Sequence, residues 1–229
     1  MRERIVKKIV WGGISTLFVV LLGSFTPIIQ DSLSTKSIQE LQRLYRQYKN
    51  VDPNLAKAYA DELYKVSIRN SNELDIAKAW YNKAYIQKNL GNYELAITYT
   101  DSSLALTNSL QNDSLLLKNT NLKGVIYSRK GAYKEAIKHY LEAKSIAEKL
   151  GHFKDVLVLS RNVGIIRVKI SDYLTALDIF KDNLEVIRSE NVENFERERS
   201  LNYFNHLKIY CFRFPFEFDE EVENINRLK

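Results

Sequence analysis

KGAYKEAIKHYLEA, residues 130–143, sets a glycine at 131, tyrosines at 133 and 140, and alanines at 136 and 143. Residues three and four apart share one face of a helix, so small and aromatic side chains here line a common stripe. Whether that stripe recurs decides between a lone amphipathic helix and one unit of an array. GNYELAITYT begins at 91, GAYKEAIKHY at 131 and SDYLTALDIF at 171, each 40 residues after the last. Tyr93, Tyr133 and Tyr173 align, as do Ala96, Ala136 and Ala176. Further upstream Ala84, Gly124 and Gly164 align at the same interval. Self-similarity at a fixed period of this length marks a repeat architecture.

One more step of 40 residues towards the amino terminus reaches Leu44 and Ala56. Asp52 is a suitable N-cap there and Pro53 suits a first helical position. Ile38, Leu41, Leu44, Tyr45 and Tyr48 precede it at helical spacing. The register therefore predicts repeats over 37–76, 77–116, 117–156 and 157–196, with a partial fifth over 197–210, inside a repeat domain of 31–210. Each unit reads as two antiparallel helices, which in the third cover about 114–130 and 132–149. Gly131 suits the left-handed residue that closes the first of these. Asn92 and Asp172 are suitable N-caps at the corresponding junctions. Ser71, Gln111, Gly151 and Asn191 fall where turns between repeats are expected.

Ala84, Gly124 and Gly164, facing Ala96, Ala136 and Ala176, let two helix axes approach closely. Tyr127, Tyr133, Tyr140, Tyr173 and Phe180 fill the wedges where the helices diverge. One helical pair cannot bury such a stripe alone, so neighbouring pairs must stack.

The order W or L, G/A, Y, G, Y, A, F/Y, A resembles the tetratricopeptide repeat. TNLKGVIYSRKGAYKEAIKHYLEA carries it through Gly124, Tyr127, Gly131, Tyr133, Ala136, Tyr140 and Ala143. Trp80, Ala84, Gly91, Tyr93 and Ala96 carry it in the second unit, with Thr100 and Ser103 weaker matches. Gly164, Tyr173, Ala176 and Phe180 carry it in the fourth, where Ser171 replaces the turn glycine. The first unit is the most divergent. The resemblance, over about 37–196, implies an all-α, right-handed solenoid of stacked antiparallel helix pairs. A 40-residue period in place of the usual 34 implies longer helices.

Composition agrees with an all-helical protein. Of three prolines none lies between Pro53 and Pro215, and 45% of residues are hydrophobic. The net charge of +6 is uneven, because Arg2, Arg4, Lys7 and Lys8 against Glu3 supply half of it. Cys211 is the one cysteine, so no disulfide can form within the chain.

The basic start RERIVKK is followed by an uncharged run from Ile9 to Ile29. Residues 1–30 thus read as a signal peptide or a retained signal-anchor helix, placing the repeats outside the cytoplasmic membrane, periplasmic or secreted. At the other end CFRFPFEF puts Pro215 where a second helix of the fifth unit should run. Residues 211–229 read as an irregular cap or a truncated tail. A signal-like start before such repeats also resembles the input region of bacterial membrane sensors, whose histidine kinase or helix-turn-helix output this chain lacks.

The sequence offers no catalytic constellation, so an enzyme is not expected. His139, His152 and His206 are far apart and lack metal-ligand spacing, and no phosphate-loop, GxSxG, HExxH or dinucleotide pattern occurs. No cofactor is implied. In the family resembled, the first helix of each unit lines a groove. By register that face carries Gln42, Tyr45, Tyr48 and Lys49, then Lys78, Tyr81, Tyr85, Lys88 and Asn89, then Asn121, Arg129, Arg161 and Lys169. Tyrosines among Lys, Arg and Asn suit an extended peptide, with cations meeting carboxylates. The expected partner is a protein or peptide, with the membrane met through the amino-terminal segment. Acidic residues interspersed with the basic ones, and the lack of an RNA-binding motif, speak against nucleic acid.

Overall fold

The computed structural model describes Leu33, residues 35–189, Asn202 and Asn205. The apolar stretch within 1–30 and the cap of 211–229, with Cys211 and Pro215, lie outside the described residues. So do Asn191, His206 and all of the partial fifth unit except Asn202 and Asn205, both of which are helical.

Among the described residues there are eight helices and no strand. They are α1 (Ile38–Tyr48), α2 (Pro53–Arg69), α3 (Glu73–Asn89), α4 (Tyr93–Ser109), α5 (Asp113–Lys130), α6 (Tyr133–Lys149), α7 (Phe153–Lys169) and α8 (Tyr173–Ser189). From α2 onward each helix starts 20 residues after the one before. Seventeen residues make a helix of about 26 Å. The 40-residue period is therefore two long helices and two connectors of two or three residues.

The connectors obey one rule. Ser71 (φ 52°), Gly91 (82°), Gln111 (50°), Gly131 (83°), Gly151 (68°) and Ser171 (63°) all lie in the left-handed region, again 20 apart. The next residue then donates its N–H to the carbonyl five positions back. Examples are Asn92 to Gln87 at 2.9 Å, Ala132 to Tyr127 at 2.9 Å and Asp172 to Arg167 at 2.8 Å. This is the Schellman closure, which satisfies otherwise orphaned carbonyls and reverses the chain.

The opposite helix ends are capped less uniformly. Asp52 accepts from the N–H groups of Asn54 and Leu55 at 3.1 and 3.0 Å, with Pro53 in the first turn, as the sequence predicts. Asn112 caps α5 through Leu115 N–H at 2.9 Å. Asn92 holds the N-cap position of α4 but makes no side-chain cap bond. Its amide instead donates to Gln87 Oε1 at 2.8 Å, tying the turn to α3. The Asp172 carboxylate faces Arg167 Nη1 at 3.0 Å.

The helical pairs run 73–109, 113–149 and 153–189, each beginning four residues ahead of the repeat boundaries read from the sequence. Those boundaries follow aligned small residues, whereas the chain turns at its left-handed positions.

The chain divides into two compact units, the first ending at Ala79 and the second beginning at Trp80. In the first, α1 packs on α2 around Leu41, Tyr45, Ala56, Tyr59 and Leu63, all buried. The Tyr48 and Tyr59 rings lie 5.9 Å apart.

In the second unit each helix from α4 to α8 packs on the next. A β-carbon added at Gly124 would stand 2.6 Å from the Tyr140 ring, and one at Gly164 would stand 2.6 Å from the Phe180 ring. Glycine is required at both, because the aromatic ring occupies the space of its side chain. The equivalent positions in the preceding hairpin hold Ala84 and Thr100, a larger small residue with a smaller partner, both fully buried. Asn183 donates to Asn202 Oδ1 at 3.0 Å and to the Leu157 carbonyl at 3.3 Å, so residue 202 lies against α8. The fold is the all-α stack of antiparallel helix pairs that the stripe demands.

Candidate functional site

The odd-numbered helices carry the face that the sequence singles out. Within the second unit the 40-residue register lines up three columns. Tyr81, Asn121 and Arg161 form one, Tyr85, Val125 and Ile165 the next, and Asn89, Arg129 and Lys169 the third. All nine keep some exposure, and Arg129 and Lys169 are exposed. Ala84 shares a cluster with Leu122 and Ile126, against which Tyr81 and Tyr85 pack, so α3 and α5 bring their columns side by side. Lys118, Val125 and Ile165 belong to this face and were not among the residues expected. The same 40-residue step from Lys78 and Tyr85 points to them.

Local chemistry differs along the face. Burial of its phenol pushes Tyr81 up to about 12, and neighbouring Tyr85 adds to the shift. Tyr81 therefore stays a neutral hydroxyl across the physiological range. The Lys88 ammonium stands 3.8 Å from the centre of the Tyr85 ring. The Asn121 side-chain oxygen is buried and without a hydrogen-bond partner. Lys169 reaches the Tyr133 ring at 5.6 Å.

Two of the expected contact residues have almost no free surface. Lys88 is 5% exposed, so it supports Tyr85 from beneath. In the first unit Tyr45 is 4% exposed and belongs to the core, while Tyr48 and Lys49 are half-buried and Lys78 is exposed.

Within the second unit the acidic residues beyond first turns, though not the basic ones, are confined to particular helices. After the first turn α5 and α7 carry no acidic residue, and neither does α3 from Trp80 onward. Glu94, Asp101, Glu135, Glu142, Glu148, Asp178, Asp182 and Glu185 all lie on α4, α6 and α8. Bases in a last turn, such as Arg129 and Lys169, complement the helix dipole. Lys118 and Arg161 stand away from the helix ends, where the dipole gives no reason for a cation.

Other features carry less. A shallow cavity of about 490 Å³ at Gly91–Leu95 includes Lys130, but that ammonium is already paired with Glu94. His139 stacks on Tyr127 at 5.4 Å and meets Glu142 at 2.8 Å. His152 lies 3.3 Å from Asp155. Among the described residues no cluster of His, Cys, Asp or Glu is arranged to hold a metal ion. Among them, too, no helix is long and apolar enough to cross a membrane.

Comparison with known proteins agrees with this architecture. The tetratricopeptide repeat family matches residues 75–149, the α3–α6 region. The crystal structure of BtubC (BKLC) from P. vanneervenii is similar with a TM-score of 0.60 at 14% identity. That similarity covers 89% of this chain and 91% of the other. MamA 41-end from Desulfovibrio magneticus RS-1 aligns at 17% identity and a TM-score of 0.30, over 68% of this chain and 97% of that one. Among curated proteins none matches. Residues 75–149 thus carry tetratricopeptide-like repeats, and the likeness to BtubC, at 14% identity, speaks for the fold alone.

Proposed function

We propose that the protein is a non-catalytic scaffold that holds an extended protein segment along the α3–α5–α7 face of its second unit. The observation that carries this reading is the acid-free face itself. Tyr81 and Tyr85 offer ring surface, and Lys118, Arg129, Arg161 and Lys169 offer cations. Rigid aromatics and guanidinium groups are the side chains that contribute most when a partner is bound, and cations pair with carboxylates on that partner. The family's usual role in protein interaction supports the same reading.

The site of action follows from the amino-terminal sequence. The basic start and the apolar run from Ile9 to Ile29 favour export across, or anchoring in, a bacterial inner membrane, with the repeats on the outer side. A second reading makes the array the input region of a signal-transduction protein, a histidine kinase or transcriptional regulator, whose output domain is not in this sequence. Its support is the same leader placed before the same kind of repeat.

The test is a pull-down from an extracytoplasmic fraction with residues 31–229 as bait. Capture of a defined protein by the wild type, lost on Tyr85→Ala with Arg161→Glu, supports the face. Equal capture by the folded double variant rejects it.

A further inference from the structure

We infer that the α4–α5 joint, between the second and third helical pairs, yields before the α6–α7 joint and serves as a hinge. The corresponding joint one repeat later, α6 against α7, provides the internal comparison. There Tyr140, Ala143 and Ala147 from α6 meet Leu159 from α7 in one apolar cluster. At the equivalent places α4 and α5 present Thr100, Ser103, Thr107 and Asn119, all buried and all polar.

The polar set is only partly satisfied. Asn119 donates through Nδ2 to Ser103 Oγ at 2.9 Å and to Thr107 Oγ1 at 3.3 Å. Its Oδ1 is buried without a partner. Thr100 and Thr107 spend their own hydroxyl protons on the carbonyls of Ala96 and Ser103, both at 2.7 Å, so neither can supply that oxygen. A buried acceptor without a donor disfavours the closed state, and side-chain bonds to the preceding turn bend a helix. Ala96 of α4 still meets Leu122 and Ile126 of α5 in an apolar cluster. Yet where stability is a sum of unit and interface terms, an interface that replaces part of its apolar contact with a half-satisfied polar set opens more readily than its apolar counterpart.

The position of this joint matters for the exposed face. Tyr81 and Tyr85 lie on α3 while Asn121 and Val125 lie on α5, and Ala96 of α4 belongs to the cluster through which these helices meet, so the α4–α5 contact contributes to the spacing between those columns. An opening there, in which α4 and α5 fray locally, changes that spacing while α6 and α7 stay packed. The inference does not depend on the face binding anything.

Hydrogen–deuterium exchange on the full chain, without added partner, tests it. Amides of 93–109 and 113–130 are expected to exchange about tenfold faster than those of 133–149 and 153–169. The triple variant Ser103→Ala, Thr107→Ala, Asn119→Leu installs the residues of the later joint. It should bring the two joints to equal protection. Equal rates in the wild type would overturn the inference, as would a folded triple variant whose α4 and α5 amides exchange unchanged. The wild-type comparison decides alone if that variant does not fold.

Discussion

Two contacts decide the packing at the scale of single residues. Gly124 lies under the Tyr140 ring and Gly164 under the Phe180 ring, with no room for a methyl group at either. Gly124→Ala should destabilise the protein by about 1–3 kcal/mol, the usual cost of overpacking, read as a shift in the urea midpoint. Adding Tyr140→Thr, which copies the Ala84 and Thr100 pair of the preceding hairpin, should recover part of that loss. A neutral Gly124→Ala would contradict the close approach. Tyr140 and Tyr81 give a second residue-scale test. Burial raises both to about 12, for Tyr140 against the opposing pull of a Ser128 hydrogen bond and the Arg129 charge. An unfolded tyrosine ionises near about 10, so between there and about 12 the unfolded state releases its proton first. The stabilisation from both phenols is thus complete below pH ~10 and is lost as pH climbs to ~12. Urea midpoints from pH 9 to 12 should fall over that window, with a shallower fall for Tyr140→Phe. Parallel curves would refute the assignment. The small-and-aromatic pairs were readable in the sequence because close packing dictates them. The polar layer around Asn119 was not, since a single asparagine carries no sign of which neighbour covers it.

At the scale of the element, the turns set the period. Six left-handed residues at strict intervals of 20 include three without the freedom of glycine: Ser71, Gln111 and Ser171. A side chain in that conformation costs about 1–2 kcal/mol, offset in part by the greater entropy glycine loses on folding. Gln111→Gly should therefore stabilise the protein by about 0.5–1 kcal/mol, and Gly131→Ala should destabilise it by about 1 kcal/mol. Chemical denaturation measures both, and changes of the same sign would show that the turn geometry is wrong. Only the period revealed these turns, for Gln111 has no local turn signature. Helix identity and length were legible from the spacing of alanines and aromatics. Which residues face outward was legible only in part. Tyr45 and Lys88 sit at the helical positions expected of a contact surface, yet neighbouring helices cover them. Lys118, Val125 and Ile165 were one repeat away from residues already singled out.

At the scale of the molecule, α5 and α7 carry cations and no acid beyond their first turns, whereas the acids keep to α4, α6 and α8, the last two of which carry basic residues as well. The arrangement gives the second unit a face with cations and no carboxylate beyond the first turns, which is the basis of the binding proposal. Beneath it lies the claim that each pair of helices is held by the next. Excising one whole repeat, residues 113–152, joins Asn112 to Phe153 and keeps every helix in register. Excising half a repeat, residues 113–132, joins Asn112 to Tyr133 and sets two second helices in succession. Thermal unfolding of the two shortened proteins by circular dichroism is the direct measurement. The first should remain helical and melt cooperatively at a lower midpoint than the full chain, while the second should lose its cooperative transition. A whole-repeat deletion that does not fold, or a half-repeat deletion that folds equally well, would contradict the account.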